Sequence, residues 1–220
     1  MADALKRSLI DVTKELMRIF PDSIIVGSAV FALFLQSFPY FVFFVSMLEA
    51  KLAFSILSYT FSYLNIAPGI ALPKSYTQEC RSGFTDSATP LALSMFKPNQ
   101  QNEFPSEQIY MLSTASSYIF SSLNALGEEL QMLGPQFSSR YYASVILLLF
   151  LMLGFAAFRI SNACETFGTV MMTIPIGLIA GYALVQQNTR LISRNSVNMI
   201  GVPLLVNKSA SGQPVYVCPK

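Results

Sequence analysis

The side chains that could do chemistry are few and poorly placed to cooperate. The chain has no histidine, so the commonest general base and metal ligand is missing. Glu128 and Glu129 are adjacent acids, but neighbours on a helix point about 100° apart and make no acid–base pair. They read as a solvated face. Serines are plentiful, yet without histidine there is no ordinary triad, and nothing singles out a Ser–Lys pair. Cys80, Cys164 and Cys218 are widely separated, with no CxxC, which leaves no zinc or redox motif. Three free thiols are the expectation, with a Cys80–Cys218 disulfide as the alternative. No phosphate-cradling GxxxxGK[ST] or GxGxxG run occurs. The sequence therefore predicts a protein that is not an enzyme, with no catalytic, cofactor-binding or metal-binding residues.

What remains is the chemistry of contact. Thr173, Gly177 and Gly181 recur every four residues in "TIPIGLIAG", a small-residue ridge that lets helices approach closely. Its expected partner is the chain's own "SVILLLFLMLGFAAF" segment. Ile109, Leu112, Ser116, Ile119, Leu123, Leu126, Leu130 and Leu133 alternate at +3 and +4, a heptad seam with one polar position. It packs either on the chain's own helices or on another subunit. Leu123, Leu126 and Leu130 are accordingly partner-contact candidates, with Leu204 and Tyr216 near the C-terminus. Ser55, Ser58, Tyr59 and Ser62 form a polar helical face, suited to interhelical hydrogen bonds or to lining a pore.

These residues need elements to hold them. The chain is 53% apolar and 12% charged, against about 25% charged for a soluble domain, too few charges to coat a soluble globule. A net charge of +2 gives no footprint for nucleic acid. The first residues are charged and lack an unbroken apolar run, so no secretory signal is predicted. A bilayer core needs about 20 apolar helical residues. Uncharged stretches of that order lie between Asp22 and Glu49, between Arg140 and Arg159, and between Glu165 and Arg190. A fourth, between Lys51 and Lys74, is diluted by Ser, Tyr, Thr and Asn65. Either Glu49–Lys51 forms a tight hairpin between two spans, or Ser23–Asn65 is one long helix. Pro39 is expected to kink the first span. Four spans would put 12 of the 14 Lys and Arg on one face, the stronger charge asymmetry. No ionisable group is expected near a bilayer centre.

The fold class predicted is mainly α: a multi-pass α-helical membrane protein with 3–4 spans, a small helical polar domain and a short β-type C-terminal tail. Residues 1–21 form an amphipathic helix, with Leu5, Leu9, Val12, Leu16 and Phe20 on one stripe and Pro21 ending it. Residues 22–73 are a membrane helix or helical hairpin. Residues 74–140 form the polar domain, containing a long helix over 106–133 with Ser106 as N-cap and Gly134–Pro135 as stop. Residues 141–189 are a transmembrane hairpin, and 190–220 a docking tail in which two β-type runs flank "NKSASGQP".

The apolar hairpin followed by "IGVPLL" at Ile200–Leu205, "NKSASGQP" and "VYVC" at Val215–Cys218 resembles the ends of small membrane proteins from large icosahedral DNA viruses of algae and protists. The resemblance covers roughly the last 80 residues and has no catalytic content. It implies a minor capsid component of the virion's internal membrane, whose partners are the lipid bilayer and capsid or other membrane proteins. An oligomeric channel, with copies of the chain as partners, is the alternative from the residues themselves.

Overall fold

The computed structural model describes residues 23–64, 104–132, 135–162, 164–201, 204–208 and 214–217, with Val12 and Ile19. The helix expected over 1–21 lies outside the described residues apart from those two, as do residues 65–103.

A break the sequence only hinted at organises the first half. Helix α1, Ser23–Leu35, stops where Gln36 takes a φ of 47°, a left-handed conformation that a helix cannot continue through. Ser37 is extended and helix α2, Phe38–Tyr63, begins with Pro39 in its first turn. There the missing proline N–H costs no helical hydrogen bond, so Pro39 opens a helix instead of kinking one. From that point α2 is continuous. "MLEAKL" consists of good helix formers with no glycine or proline, and the hairpin expected at Glu49–Lys51 is not formed. Nor is Ser23–Asn65 a single helix.

Ser106 precedes helix α3, Glu107–Ala125. Leu126 ends it, and a short helix α4, Gly127–Met132, follows, so the continuous 106–133 helix is interrupted at Leu126, just ahead of Gly127. Helix α5 covers Pro135–Ser161 and helix α6 Phe167–Leu191. Thr166 caps α6, its hydroxyl accepting from the Thr169 N–H at 3.2 Å. A 3-10 turn at Arg194–Val197 leads to two short strands, Leu204–Lys208 and Pro214–Val217, paired antiparallel with an irregularity between Leu205 and Asn207.

Among the described residues, three helices are long and apolar enough to cross a membrane: Phe38–Tyr63, Tyr141–Ser161 within α5, and Phe167–Leu191. Helix α3 lies among them. It packs most extensively on α6 and also touches α2 and α5. Phe43 stacks on Tyr118 and Phe54 on Tyr110, so α2 runs opposite to α3. Gly177 faces Tyr110 and Ser113 while Gly181 faces Thr114 and Tyr118, so α6 runs with α3. Ile109 and Leu112 cluster with Met152, Phe155 and Ala156, whereas Leu126 and Leu130 meet Tyr141. Helix α5 thus opposes α3. The four helices alternate in direction along the chain. One end holds the α5–α6 turn, the start of α3 and the end of α2. The other holds the end of α3, the start of α5 and the exit from α6.

Candidate functional site

The inside of this bundle mixes apolar clusters with many buried polar groups. Its outside is apolar: Phe150, Ile146 and Leu153 on α5, and Ile179 on α6, are all at least 60% exposed. Polar groups line α3 from one end to the other, and several of them are met by a neighbouring helix.

At the turn end, Arg159 and Glu165 are both buried. Arg159 Nη2 donates to Glu165 Oε1 at 2.9 Å, and the Ser106 hydroxyl donates to the same oxygen at 2.6 Å. The Ser106 hydroxyl is therefore not available to cap α3 (no side-chain cap bond is formed), although its backbone sits in the N-cap position. Its N–H instead reaches Thr173 Oγ1 on α6 at 3.2 Å. One carboxylate thus ties together α5, the start of α6 and the start of α3. At the next residue along α3, Glu107 pairs with Lys51 of α2.

In the middle, Gly177 and Gly181 remove the barrier between α3 and α6. A Cβ on Gly177 would fall 2.7 Å from the Tyr110 carbonyl oxygen, and one on Gly181 would fall 2.9 Å from the Tyr118 nitrogen and onto the Thr114 carbonyl. Only a helix without side chains at these points can come this close. Thr173 is fully buried in the same contact. The ridge therefore packs inside the chain, but its partner is α3 and not the expected α5 segment. The Ser117 hydroxyl donates across this contact to the Leu178 carbonyl at 2.6 Å.

Toward the other end, Asn188 of α6 donates to Ser46 Oγ of α2 at 2.8 Å and to the Tyr118 hydroxyl of α3 at 3.0 Å. Gln187 donates to Glu49 Oε2 at 3.4 Å. Beyond them, Arg194 pairs with the buried Glu129 at 3.0 Å and its Nε donates to the Ala125 carbonyl at 3.0 Å, one of the carbonyls that the end of α3 leaves without a helical partner. Glu129, expected on a solvated face, is fully buried; Glu128 is exposed.

The continuity of α2 overturns the expectation that the spans carry no ionisable group at depth. Glu49 and Lys51 lie midway along Phe38–Tyr63, one on Gln187 and the other on Glu107. Of the polar face Ser55, Ser58, Tyr59 and Ser62, Ser58 is buried, Tyr59 is 69% exposed, and Ser55 donates back to the Lys51 carbonyl at 3.1 Å. Of the partner-contact candidates, Leu126 and Leu130 are buried and Leu123 partly so, in a cluster with Tyr141 of the same chain. Leu204 and Tyr216 lie on the paired strands, opposite Val217 and Leu205. Cys164 is disulfide-bonded, so the chain does not carry three free thiols; its partner lies outside the described residues.

Among the described residues, no three His, Cys, Asp or Glu side chains converge as a metal site. Each described ion pair joins two different elements. No family model, curated protein or solved structure matches this chain.

Proposed function

We propose that the chain is an integral membrane scaffold, non-catalytic, in which α2, α3, α5 and α6 all cross the bilayer. The direction of α3 carries the proposal. Helix α2 finishes at the turn end and α5 starts at the opposite end, so the chain between them must traverse the same thickness. Helix α3 is the element that does so. Its 19 residues span about 28 Å at 1.5 Å each, close to the hydrocarbon thickness of a bilayer. Residues 108–127 carry no charge. Its serines and threonines would be poor company for lipid, but α2, α5 and α6 stand around them. The Ser113, Ser117 and Tyr118 hydroxyls find partners inside the bundle, as a lipid environment favours.

The finer role we propose is that of an anchor between a virion's internal bilayer and its capsid shell, with the segments left at the two ends as the docking parts. The likeness of the C-terminal run to viral membrane proteins supports it, as does an interior locked by ion pairs. The chain should stay in the pellet on alkaline carbonate extraction of membranes. A Ser87→Cys and a Ser209→Cys variant, each in a chain whose native cysteines are Ser, should label from opposite sides of sealed vesicles with an impermeant thiol reagent. Labelling from the same side would remove the α3 crossing. For the finer role, mild detergent treatment of source particles should leave the chain with shell proteins; complete release with the lipid would overturn it.

A further inference from the structure

Helices α5 and α6 do not close on each other along their whole length. A cleft of about 390 Å³ opens between them, within the size range of small-molecule sites. Ser116 and Phe120 of α3 form its floor, Val145 to Met152 of α5 one wall, and Leu178 and Tyr182 of α6 the other. The lining is almost wholly apolar. Along α5 the wall covers two helical turns, about 10 Å.

Three observations say what fills it. First, the cleft lies wholly within the uncharged stretches of α3, α5 and α6, and its rim residues Leu149 and Tyr182 are 50% and 56% exposed, continuous with the apolar outer face. On the membrane reading, on which this inference rests, its open side meets hydrocarbon. Second, a packed helix is about 10 Å across and would need a longer and broader groove than two turns of wall provide; an extended hydrocarbon chain would not. Third, Arg190 is exposed on α6, two turns beyond Tyr182, about 12 Å along the helix axis. That puts a fixed positive charge past the mouth of the cleft, toward the end where α6 leaves the bundle. Tyr142, 64% exposed, begins the apolar part of α5 at the same end, as tyrosines do at bilayer interfaces.

We infer that this cleft is a binding site for one acyl chain of an anionic phospholipid, whose phosphate is held by Arg190. The bound lipid would fill the wedge between α5 and α6 and join two helices that meet mainly through α3.

The test uses the full chain reconstituted in vesicles of equal parts phosphatidylcholine and phosphatidylglycerol, extracted in mild detergent and weighed intact by native mass spectrometry. The expected result is one phospholipid retained per chain, enriched in phosphatidylglycerol about fivefold, the equivalent of one favourable surface charge contact. Leu149→Trp at the rim and Ser116→Phe on the floor should abolish retention, and Ile179→Phe, on the outer face but outside the cleft, should not. Arg190→Gln should keep the lipid and lose the enrichment. Wild-type protein that elutes as a single species without lipid would overturn the site, as would Leu149→Trp retaining lipid at the wild-type level. A dimer that Leu149→Trp disperses would replace the lipid with a second copy of the chain. Carbonate extraction of the same samples separates the two failures: protein released from membranes defeats the membrane reading, whereas embedded protein without lipid defeats only the cleft.

Discussion

Helices α3 and α5 invert the rule that apolar segments go inside. The apolar part of α5 has the highest mean hydropathy of the candidate spans, 2.3, yet only 22% of it is buried. Helix α3 is rich in serine and too polar to be counted among those spans, yet 11 of its 19 residues are buried. In water the greasier helix would occupy the core. In lipid that pressure is absent, because hydrocarbon tails are as apolar as leucine, and helices associate through close packing and hydrogen bonds instead. Hydropathy then records contact with lipid, and small or hydroxylated residues record contact with protein.

The largest effect expected from breaking this contrast is at the glycines. Gly181→Leu drives a side chain into the backbone of α3 and should cost about 3 kcal/mol or more, seen as loss of the monodisperse peak in detergent. Gly154→Leu on α5, where an added Cβ meets nothing within 4 Å, should elute like wild type. If both behave alike, the two helices do not differ as described.

Next come the buried ions. Glu165→Gln removes the buried carboxylate on which Arg159 Nη2 and the Ser106 hydroxyl converge and should lower stability by about 3–5 kcal/mol, read from the midpoint of a denaturation titration in detergent micelles. The double variant Arg159→Met/Glu165→Met should lose less than Glu165→Gln alone, because it buries no charge at this point. Equal loss in both would mean that the pair's contacts matter and its burial does not.

A smaller change is expected at the amide. Asn188→Leu removes hydrogen bonds to Ser46 and Tyr118 and should cost about 1 kcal/mol, the usual scale for a polar contact between membrane helices. The smallest is on the outer face: Ile146→Leu on α5 should stay within about 0.5 kcal/mol. A larger loss at Ile146 than at Asn188 would reverse the contrast between inside and outside.

The α5–α6 hairpin was legible in the sequence because charges at Arg159, Glu165 and Arg190 bracket it and "RISNACE" is too short for anything but a turn. The Thr173–Gly177–Gly181 ridge was legible as a contact surface, though not its partner, since a flat face accepts whichever helix arrives. Ser106 was legible as the start of α3, whereas the redirection of its hydroxyl to Glu165 depends on a residue 59 positions away. The place of α3 was hidden by its serines. Ser113 donates to the Ile109 and Tyr110 carbonyls of its own helix and Ser117 to Leu178, so these hydroxyls enter the core already satisfied. Composition alone counts them as seeking water. The break at Gln36–Ser37 was equally hidden, because the proline that opens α2 would bend a longer helix at the same point.

The parallel course of α3 and α6 has an electrical consequence. Each helix carries a macrodipole, positive at its N-terminus and negative at its C-terminus, and two lying side by side in the same direction repel in a medium that screens little. The ends carry opposite charges in the places that offset this. Glu107 stands in the first turn of α3 and Glu165 just ahead of α6, while Arg190 sits in the last turn of α6 and Arg194 closes on the final carbonyls of α3. Acids stand at both positive poles and bases at both negative poles, the placement a macrodipole favours, with Glu107, Glu165 and Arg194 each also paired to an opposite charge on another element. The residues that bracket these helices are therefore placed in keeping with their common direction.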